Sequence, residues 1–509
     1  MSFPRASGIL LHPTSLPGPF GIGDLGDEAY AFIDFLAASK QSLWQVLPLG
    51  PTGYGDSPYQ CFSAFAGNSL LISPKRLARD GLLSDVDITD PPRFPVGQVD
   101  FGGAIAYKKT LLDKAFGNFR LNTDGALQNE FNAFCHENEL WLEDYALFRA
   151  LKDAHGGIEW TRWEPQFAMR EHGALAHARE ALREKIEAEK FLQFLFFRQW
   201  SELKTYCHER QIGIIGDTPI FVSLDSADVW THPEMFKLGP DRRPTVVAGV
   251  PPDYFSKTGQ LWGNPIYNWE AMLATGFSWW IDRLRAVFRT VDILRIDHFR
   301  GFCACWEIPG GDKTAERGQW VPVPGRELFT TLRRRFGELP IIAEDLGVIT
   351  PDVEALRDDF DFPGMRVLQF AFRGDSKTID LPHNYIKNCV VYTGTHDNDT
   401  TVGWFRSRAG KGSTRSAEQI RREREYCLRY LHSNGREIHW DMIRAALASV
   451  ANTALVPLQD VLGLGSRARM NLPASQEGNW RWRFREGVLR RKLADKLGEL
   501  TSLYGRDRR

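Results

Sequence analysis

The chain of 509 residues lacks a charge excess, long apolar runs and paired cysteines. Its 63 Lys and Arg against 64 Asp and Glu leave a formal net charge of −1. This balance predicts no basic surface for nucleic acid and no attraction to an anionic membrane. No run approaches the roughly 18 apolar residues that a membrane-spanning helix needs. The apolar run near the N-terminus is short and broken by His12 and Pro13, which does not fit a signal peptide.

The seven cysteines are scattered along the chain, and no two of them form a CxxC pair. That number and spacing exclude a disulfide framework. The sequence also contains no HExxH motif and no Cys/His cluster with zinc spacing. We therefore expect a cytoplasmic protein with reduced thiols, without a metal or other cofactor and without an obligatory protein partner.

Aromatic residues, in contrast, are abundant, with 33 Phe, 13 Tyr and 16 Trp. Most of the Phe side chains are expected in a large core. Trp and Tyr offer a flat apolar face and a polar edge, which also suits the face of a sugar ring. The composition permits a carbohydrate site but does not establish one.

Eight short β-rich segments alternate with helical patterns along the chain. Several of these segments are almost continuously apolar, as expected for parallel strands covered on both faces. Strand–helix alternation predicts a parallel sheet, and eight units favour closure into a (β/α)8 barrel. The predicted strands are 8–12, 42–48, 213–217, 292–297, 341–345, 366–370, 390–395 and 454–459.

The spacing of these strands is uneven, which predicts inserted subdomains in a single catalytic barrel that spans 1–509. The insertion after the second strand covers about 51–190 and is expected to be mostly helical, from the patterns at 140–151 and 174–190. The insertion after the third strand, 218–275, is expected to be loop-rich and to lie over the active site. The basic C-terminal end, GRDRR, is expected to be frayed.

Three carboxylates end predicted strands or follow them: Asp297 in DILRIDHFRGF, Glu344 in PIIAEDLG and Asp397 in VVYTGTHDNDT. Active sites of such barrels lie at the C-terminal ends of the strands. One acidic residue there is often only a helix cap, but three favour a paired-carboxylate site for glycosyl transfer. Arg295 lies two residues before Asp297 on the same strand face, where a guanidinium would keep a nucleophilic carboxylate ionised.

Two segments match motifs for other functions, dinucleotide binding and calcium binding, but their surrounding residues do not fit. The GxGxxG match at 21–26 does not directly follow a strand, and the next strand does not end in an acidic residue, as dinucleotide binding requires. The segment that starts at Asp397 resembles a calcium loop, but Val402 and Arg408 stand where Gly and Glu are required.

Two segments rich in Gly, Pro and aromatic residues are typical of ligand-binding loops, 51–60 and 249–269. The alternative is that the aromatic side chains only pack these loops onto the rest of the protein. For Tyr267 and Trp269, packing and ligand contact are equally favoured. The side chains predicted to contact a sugar are Tyr54 and Tyr59 in the first segment, and Tyr254, Phe255, Trp262 and Asn264 in the second.

The motifs RIDHFRGF, IIAEDLG, THDNDT, GDTPIFV, GVPPDYFSKTGQLWGNP and HPTSLPGPFGIGDLG resemble those of the 4-α-glucanotransferases, also called amylomaltases or disproportionating enzymes, which form glycoside hydrolase family 77. The resemblance extends along essentially the whole chain. It implies a barrel with inserted subdomains and the transfer of α-1,4-glucan segments with retention of configuration.

By motif position, the resemblance implies that Asp297 is the nucleophile, Glu344 the acid/base and Asp397 the third carboxylate, which grips sugar hydroxyls. The positions that match sugar-contacting residues of the family or its wider clan are Asp217, Arg295, His396, Tyr59, Trp262 and Asn264. The resemblance implies a short form without an N-terminal extension.

One departure from the wider α-amylase-like pattern favours a transferase. That pattern places a His five residues after the Asp of the third strand, whereas Val222 follows Asp217 here. Two alternatives stay open at this point. An α-1,4-glucan hydrolase would use the same three carboxylates, and a non-catalytic glucan-binding scaffold would not need a nucleophile and an acid.

Overall fold

The computed structural model describes residues 3–121, 125–252, 257–410, 415–473, 475 and 477–507. The strands are β1 (Ala6–Leu10), β2 (Leu43–Gln45), β3 (Gly213–Pro219), β4 (Val246–Val250), β5 (Gln260–Pro265), β6 (Ile293–Asp297), β7 (Ala304–Pro309), β8 (Gln319–Pro322), β9 (Ile341–Ala343), β10 (Gly364–Val367), β11 (Cys389–Tyr392) and β12 (Thr453–Pro457).

The α-helices are α1 (Asp27–Ala38), α2 (Pro74–Arg79), α3 (Asp85–Thr89), α4 (Phe101–Leu121), α5 (Gly125–Glu137), α6 (Glu139–Ala154), α7 (Pro165–Ala168), α8 (His172–Ala181), α9 (Arg183–Glu209), α10 (Ala227–Thr231), α11 (Trp269–Ala274), α12 (Ser278–Thr290), α13 (Gly325–Phe336), α14 (Pro351–Asp359), α15 (Thr401–Arg406), α16 (Ala417–Tyr430), α17 (Ile438–Ala448), α18 (Leu458–Val461) and α19 (Arg491–Leu503).

Eight parallel strands form a barrel in the order β10-β11-β12-β1-β2-β3-β6-β9. The remaining seam joins β9 to β10, where the Ala343 N–H donates to the Pro363 carbonyl over 3.0 Å. The barrel interior is filled by apolar side chains from the strands, among them Ile215, Ile342 and Leu455. The predicted (β/α)8 barrel is confirmed, and its strands place the ends of β3, β6 and β9 next to one another.

Gly364 allows β10 to approach β9 closely at this seam. A Cβ at this position would lie 2.2 Å from a carboxylate oxygen of Asp345. That carboxylate accepts the Met365 backbone N–H over 2.6 Å and pairs with Arg357 over 2.5 Å. The residue directly after Glu344 is therefore fixed by charge and by backbone contacts.

The segment 51–190 holds helices α2 to α8 and the start of α9. The predicted helix 140–151 lies within α6, whereas the predicted run 174–190 is divided between α8 and α9. Helix α9 packs against α6 on one side and leads directly into β3. The long insertion is thus connected rigidly to a strand of the site.

The segment 218–275, expected to be loop-rich, contains α10, β4, β5 and α11. Its two strands belong to an antiparallel sheet of order β5-β4-β7-β8. Strands β7 and β8 come from a further excursion after β6 that the sequence did not predict. Because β4 pairs with β7, about 60 residues later, local periodicity did not indicate this sheet.

The expectation that the basic C-terminal end is frayed is wrong for Arg506. This side chain is 0% exposed and donates to several backbone carbonyls at the N-terminal end of the barrel. Its acceptors are the carbonyl oxygens of Ala6, Ala446, Leu447, Ser449, Ala451 and Asn452. The segment after α19 therefore ties β1 to the loop between α17 and β12.

Among the described residues, no helix is both long and apolar enough to cross a membrane.

Candidate active site

The predicted site residues come together at the C-terminal ends of the barrel strands. Asp217 lies in β3, and Arg295 and Asp297 lie in β6, in a register that places Asp217 opposite Arg295. Glu344 follows β9, the other neighbour of β6, and its backbone N–H donates to the Ile296 carbonyl. Asp397 follows β11, on another side of the barrel.

Arg295 binds two carboxylates at once. Its Nη1 lies 2.6 Å from Asp217 Oδ2, and its Nη2 lies 2.8 Å from Asp297 Oδ1. Burial alone would lower the pKa of Arg295, but the charges of Asp217 and Asp297 raise it well above its ordinary value. The guanidinium is therefore a permanent cation between the two acids.

The two acids differ in exposure. The Asp217 side chain is 0% exposed, whereas that of Asp297 is 33% exposed and open to the cleft. Burial raises the pKa of Asp217, while Arg295 opposes the rise. Asp217 thus lies beneath the site as a charge partner of Arg295, and in this structure its side chain does not reach the surface that a sugar would contact.

Glu344 has the environment of a proton donor. Burial, together with the nearby charge of Asp297, raises its pKa to about 8. Its two carboxyl oxygens accept backbone N–H groups, Oε2 from His298 over 2.7 Å and Oε1 from Leu346 over 2.9 Å. These contacts fix the orientation of the carboxyl group while it keeps its proton at neutral pH.

His298 links Asp297 and Glu344 through the backbone. It follows Asp297 directly and has φ 54°, in the left-handed region that is uncommon for a residue with a side chain. This turn directs its N–H to Glu344, and burial lowers the pKa of its imidazole to about 4. The sequence analysis did not single out His298, although its place directly after Asp297 was a usable signal.

Asp397 is held by two residues that sequence reasoning missed. Asn471 Nδ2 donates to Asp397 Oδ1 over 2.6 Å, and Arg469 Nη2 donates to the Asp397 carbonyl over 2.6 Å. On its other side, His396 Nε2 lies 3.4 Å from Asp397 Oδ2. Asn471 and Arg469 come from a polar loop after the last barrel strand, a position typical of active-site residues in this fold.

Tyr59 joins the two sides of the site. Its hydroxyl donates to Asp217 Oδ2 over 3.0 Å and lies 2.9 Å from His396 Nε2. Its ring stacks on the His396 ring with 5.3 Å between centroids, and Trp480 packs beside both. The loop after β2 therefore brings a hydroxyl and an aromatic face to the carboxylates, and the sugar contact predicted for Tyr59 stays a prediction. The side chain of Tyr54, in the same loop, lies outside the described residues.

A second missed residue near His396 is His12, which follows β1. It is 5% exposed, and burial together with the charge of His396 lowers its pKa to about 3. Both histidines line a small cavity above β12. His12 begins the HPTSLPGPFGIGDLG segment, one of those that carry the family resemblance, and this was the available signal.

Strand β5 brings Trp262 and Asn264 to the same end of the barrel. The Trp262 ring is half-buried and meets the His298 ring edge-on at 4.8 Å. Asn264 is 7% exposed; its amide donates to the Val222 carbonyl over 2.9 Å and accepts from Gln60 over 3.4 Å. Asn264 therefore connects three loops of the site. Tyr254 and Phe255, also predicted as sugar contacts, lie outside the described residues.

Tyr267 and Trp269 pack into the core, since they are 0% and 7% exposed. Their role is to hold the segment 218–275 against the barrel. No group of three or more His, Cys, Asp or Glu side chains that could hold a metal ion occurs in the part of the chain that the structure describes.

Comparison with known proteins places this geometry in a family. The profile of the glycoside hydrolase family 77 enzymes, described as 4-alpha-glucanotransferase, matches residues 11–489. A 4-alpha-glucanotransferase of Synechocystis is 54% identical over 506 residues, which cover 99% of this chain and 98% of that protein. The 4-alpha-glucanotransferase of Thermus thermophilus is 52% identical, with 96% of both chains covered.

A solved structure shows the same architecture. The amylomaltase of Streptococcus agalactiae, crystallised in complex with acarbose, superposes with a TM-score of 0.94. It is 42% identical, and the match covers 99% of this chain and 100% of that chain.

Proposed function

The chain belongs to the family of 4-α-glucanotransferases, and we propose that it transfers α-1,4-glucan segments from a donor glucan to the 4-hydroxyl of an acceptor glucan or of glucose, with retention of configuration. One observation carries this proposal. Asp297 is paired with a permanent cation, and the neighbouring Glu344 has a pKa raised to about 8. An ionised acid beside a protonated one is the arrangement that retaining glycosyl transfer needs.

In the first step, Glu344 gives its proton to the glycosidic oxygen between two glucose units. Asp297 attacks the anomeric carbon, the donor bond breaks, and the fragment with the reducing end leaves. The sugar is then bound to Asp297 as an ester, and Glu344 is a carboxylate.

In the second step, Glu344 takes the proton from the 4-hydroxyl of the acceptor. That oxygen attacks the anomeric carbon from the face the leaving group occupied, and Asp297 is released. Each step inverts the anomeric centre, so the new bond keeps the α configuration.

The other residues bind and orient the sugar in this proposal. Asp397 grips donor hydroxyls and is held for that purpose by Asn471. His396 and Tyr59 lie beside it, and Trp262 offers an aromatic face on the opposite side. A cytoplasmic location stays a prediction. The residues that stay predictions as sugar contacts are Tyr54, Tyr59, Asp217, Tyr254, Phe255, Trp262, Asn264, Arg295 and His396.

The test is incubation with maltotriose alone, followed by chromatography of the products. Transfer yields glucose and a ladder of maltooligosaccharides longer than the substrate. If glucose and maltose accumulate and nothing longer than maltotriose forms, the protein is a hydrolase and the proposal is wrong.

A second experiment tests the roles of the two acids. The Glu344→Gln variant should lose most turnover of maltotriose but still react with an α-glucosyl fluoride, because fluoride leaves without strong acid assistance. Mass spectrometry of the digested protein should then find the glucosyl group on Asp297. A label on another residue would exclude Asp297 as the nucleophile.

A further inference from the structure

A cavity of about 420 Å³ lies on the outer side of the barrel, between the inserted helices α6 and α9 and the barrel helix α12. Its described lining does not include Asp297, Glu344 or Asp397. The volume falls within the range of about 300–1,000 Å³ that is usual for small-molecule sites. The reaction proposed above leaves this cavity without a role.

One side of the cavity is a continuous aromatic wall, formed by Phe65, Trp141, Tyr145, Phe197 and Trp279. The ring centroid of Trp141 lies 6.4 Å from that of Phe65, 6.0 Å from that of Tyr145 and 6.0 Å from that of Phe197. Phe65, Trp141 and Phe197 are half-buried. These rings therefore present flat apolar surface to whatever enters the cavity.

One polar group of the aromatic wall, the Tyr145 hydroxyl, has no hydrogen-bond partner among the described residues. Tyr145 is 2% exposed, and no hydrogen bond joins its hydroxyl to another described residue. The indole N–H of Trp279 also has no acceptor among the described residues, but its nitrogen is buried out of reach of the cavity. Buried donors are satisfied in most proteins, because leaving one unpaired costs about 1–3 kcal/mol. The Tyr145 hydroxyl is therefore a neutral donor that a ligand with oxygen acceptors can use.

The charged side chains around the cavity are mostly matched within the protein. Asp144 pairs with Arg170 over 2.9 Å, and Arg198 pairs with Asp80 over 3.0 Å. Asp282 pairs with Arg285 on α12. A charged ligand would have to break these pairs, so the matched charges favour a neutral one.

We propose that this cavity binds a neutral pyranose, as a glucose unit of an α-glucan, separately from the catalytic site. The apolar face of the ring packs on the aromatic wall, and one of its hydroxyl oxygens accepts from the Tyr145 hydroxyl. The choice of an α-glucan among neutral sugars rests on the proposed function.

The cavity is connected to the catalytic site by one loop. The segment that carries Tyr59 continues to Phe65, and the Ala64 N–H is fixed by the carboxylate of Asp228 over 2.8 Å. Asp228 and Phe65 both line the cavity. A bound glucan would thus rest directly behind the loop that positions Tyr59.

Calorimetric titration with maltose tests the proposal. The parent protein is the Asp297→Asn variant, in which turnover is blocked, so that only binding is measured. Adding Trp141→Ala should remove one binding event. Adding Tyr145→Phe, which keeps the ring but removes the hydroxyl donor, should weaken that event about tenfold, as the loss of one hydrogen bond predicts. The matched control is Trp320→Ala, which removes another partly exposed Trp far along the chain and should leave the number of events unchanged.

An equal number of events in the parent and the Trp141→Ala protein, with an unchanged affinity in Tyr145→Phe, would overturn the proposal. If Trp141→Ala fails to fold by circular dichroism, the Tyr145→Phe titration decides. The products that the wild type forms from maltotriose are measured in a separate experiment. If no longer products form while the Trp141-dependent binding event persists, the proposed function is refuted and the proposed binding site is not.

Discussion

Replacing Glu344 by Gln should affect the stability of the protein more favourably at high pH than at low pH. In the folded protein the pKa of Glu344 is raised from 4.5 to about 8. Such a group favours the folded state below its unfolded pKa, and this contribution is lost as the pH rises toward 8. Gln does not titrate, so the variant does not suffer this loss.

The size of the effect follows from the shift. At about 1.36 kcal/mol per unit, a rise from 4.5 to about 8 corresponds to an upper limit of about 5 kcal/mol in alkaline solution. Glu344 is only partly buried, and water can relax around its charge, so we expect about 1–2 kcal/mol. For a chain of this length, about 1 kcal/mol changes the Tm by about 1 °C.

The assay is differential scanning calorimetry of the wild type and of Glu344→Gln at about pH 5 and about pH 8.5. The variant also disturbs the hydrogen bonds from His298 and Leu346, but that loss does not depend on pH and cancels between the two conditions. The Tm difference between variant and wild type should therefore be about 1–2 °C more favourable at the higher pH.

The matched control is Glu338→Gln, which changes an exposed Glu shortly before the same strand and should give equal Tm differences at both pH values. An equal difference for Glu344→Gln, or one that declines with pH, would show that Glu344 does not carry a raised pKa. The role of Glu344 as the proton donor would then have to be abandoned.

Three further predictions follow from the contacts described above. Asn471→Ala should lower kcat on maltotriose about 10- to 100-fold with little change in KM, because a hydrogen bond to a charged group is worth about 1.5–3 kcal/mol; a change confined to KM would contradict the positioning of Asp397 by Asn471. Arg506→Met should lower the Tm by about 3–5 °C without changing kcat at room temperature, since it leaves several buried carbonyls without a donor. The control is Arg491→Met, which changes an exposed Arg. Turnover should survive prolonged EDTA treatment, and a loss that calcium or zinc restores would reveal a metal site.

The barrel could be predicted from the sequence because each of its strands is a local apolar run between helical patterns. Strand ends were placed less well. The segment 390–395 was predicted as a strand, but β11 ends at Tyr392, and the segment 341–345 shortens to β9. The polar residues at these two ends, Asp345, Thr393 and Thr395, form hydrogen bonds that involve side chains instead of continuing the strand ladder, so the sequence pattern extends beyond the strand.

The grouping of the three candidate carboxylates could also be predicted, because Asp297 ends a strand and Glu344 and Asp397 follow strands in the chain. The residues that hold them could not. Asn471 lies 74 residues from Asp397 along the chain, and their contact depends on how the loop after β12 folds back. His12 and Arg506 are similar cases. His12 lies beside His396 and Arg506 donates to the Ala6 carbonyl, both across most of the chain, so no local pattern shows these contacts.

The double pairing of Arg295 has a consequence for the lifetime of the glycosyl ester in the proposed reaction. When Asp297 becomes esterified, its negative charge disappears, and the guanidinium would be an unbalanced cation next to the sugar. Asp217, 2.6 Å away and fully buried, keeps that cation neutralised. The ester is therefore formed without leaving net positive charge against the anomeric carbon, and the oxocarbenium-like transition states before and after it face the same electrostatic surroundings. The barriers for forming and for breaking the bond to Asp297 are therefore similar. Similar barriers suit an enzyme whose substrates and products are alike in bond energy.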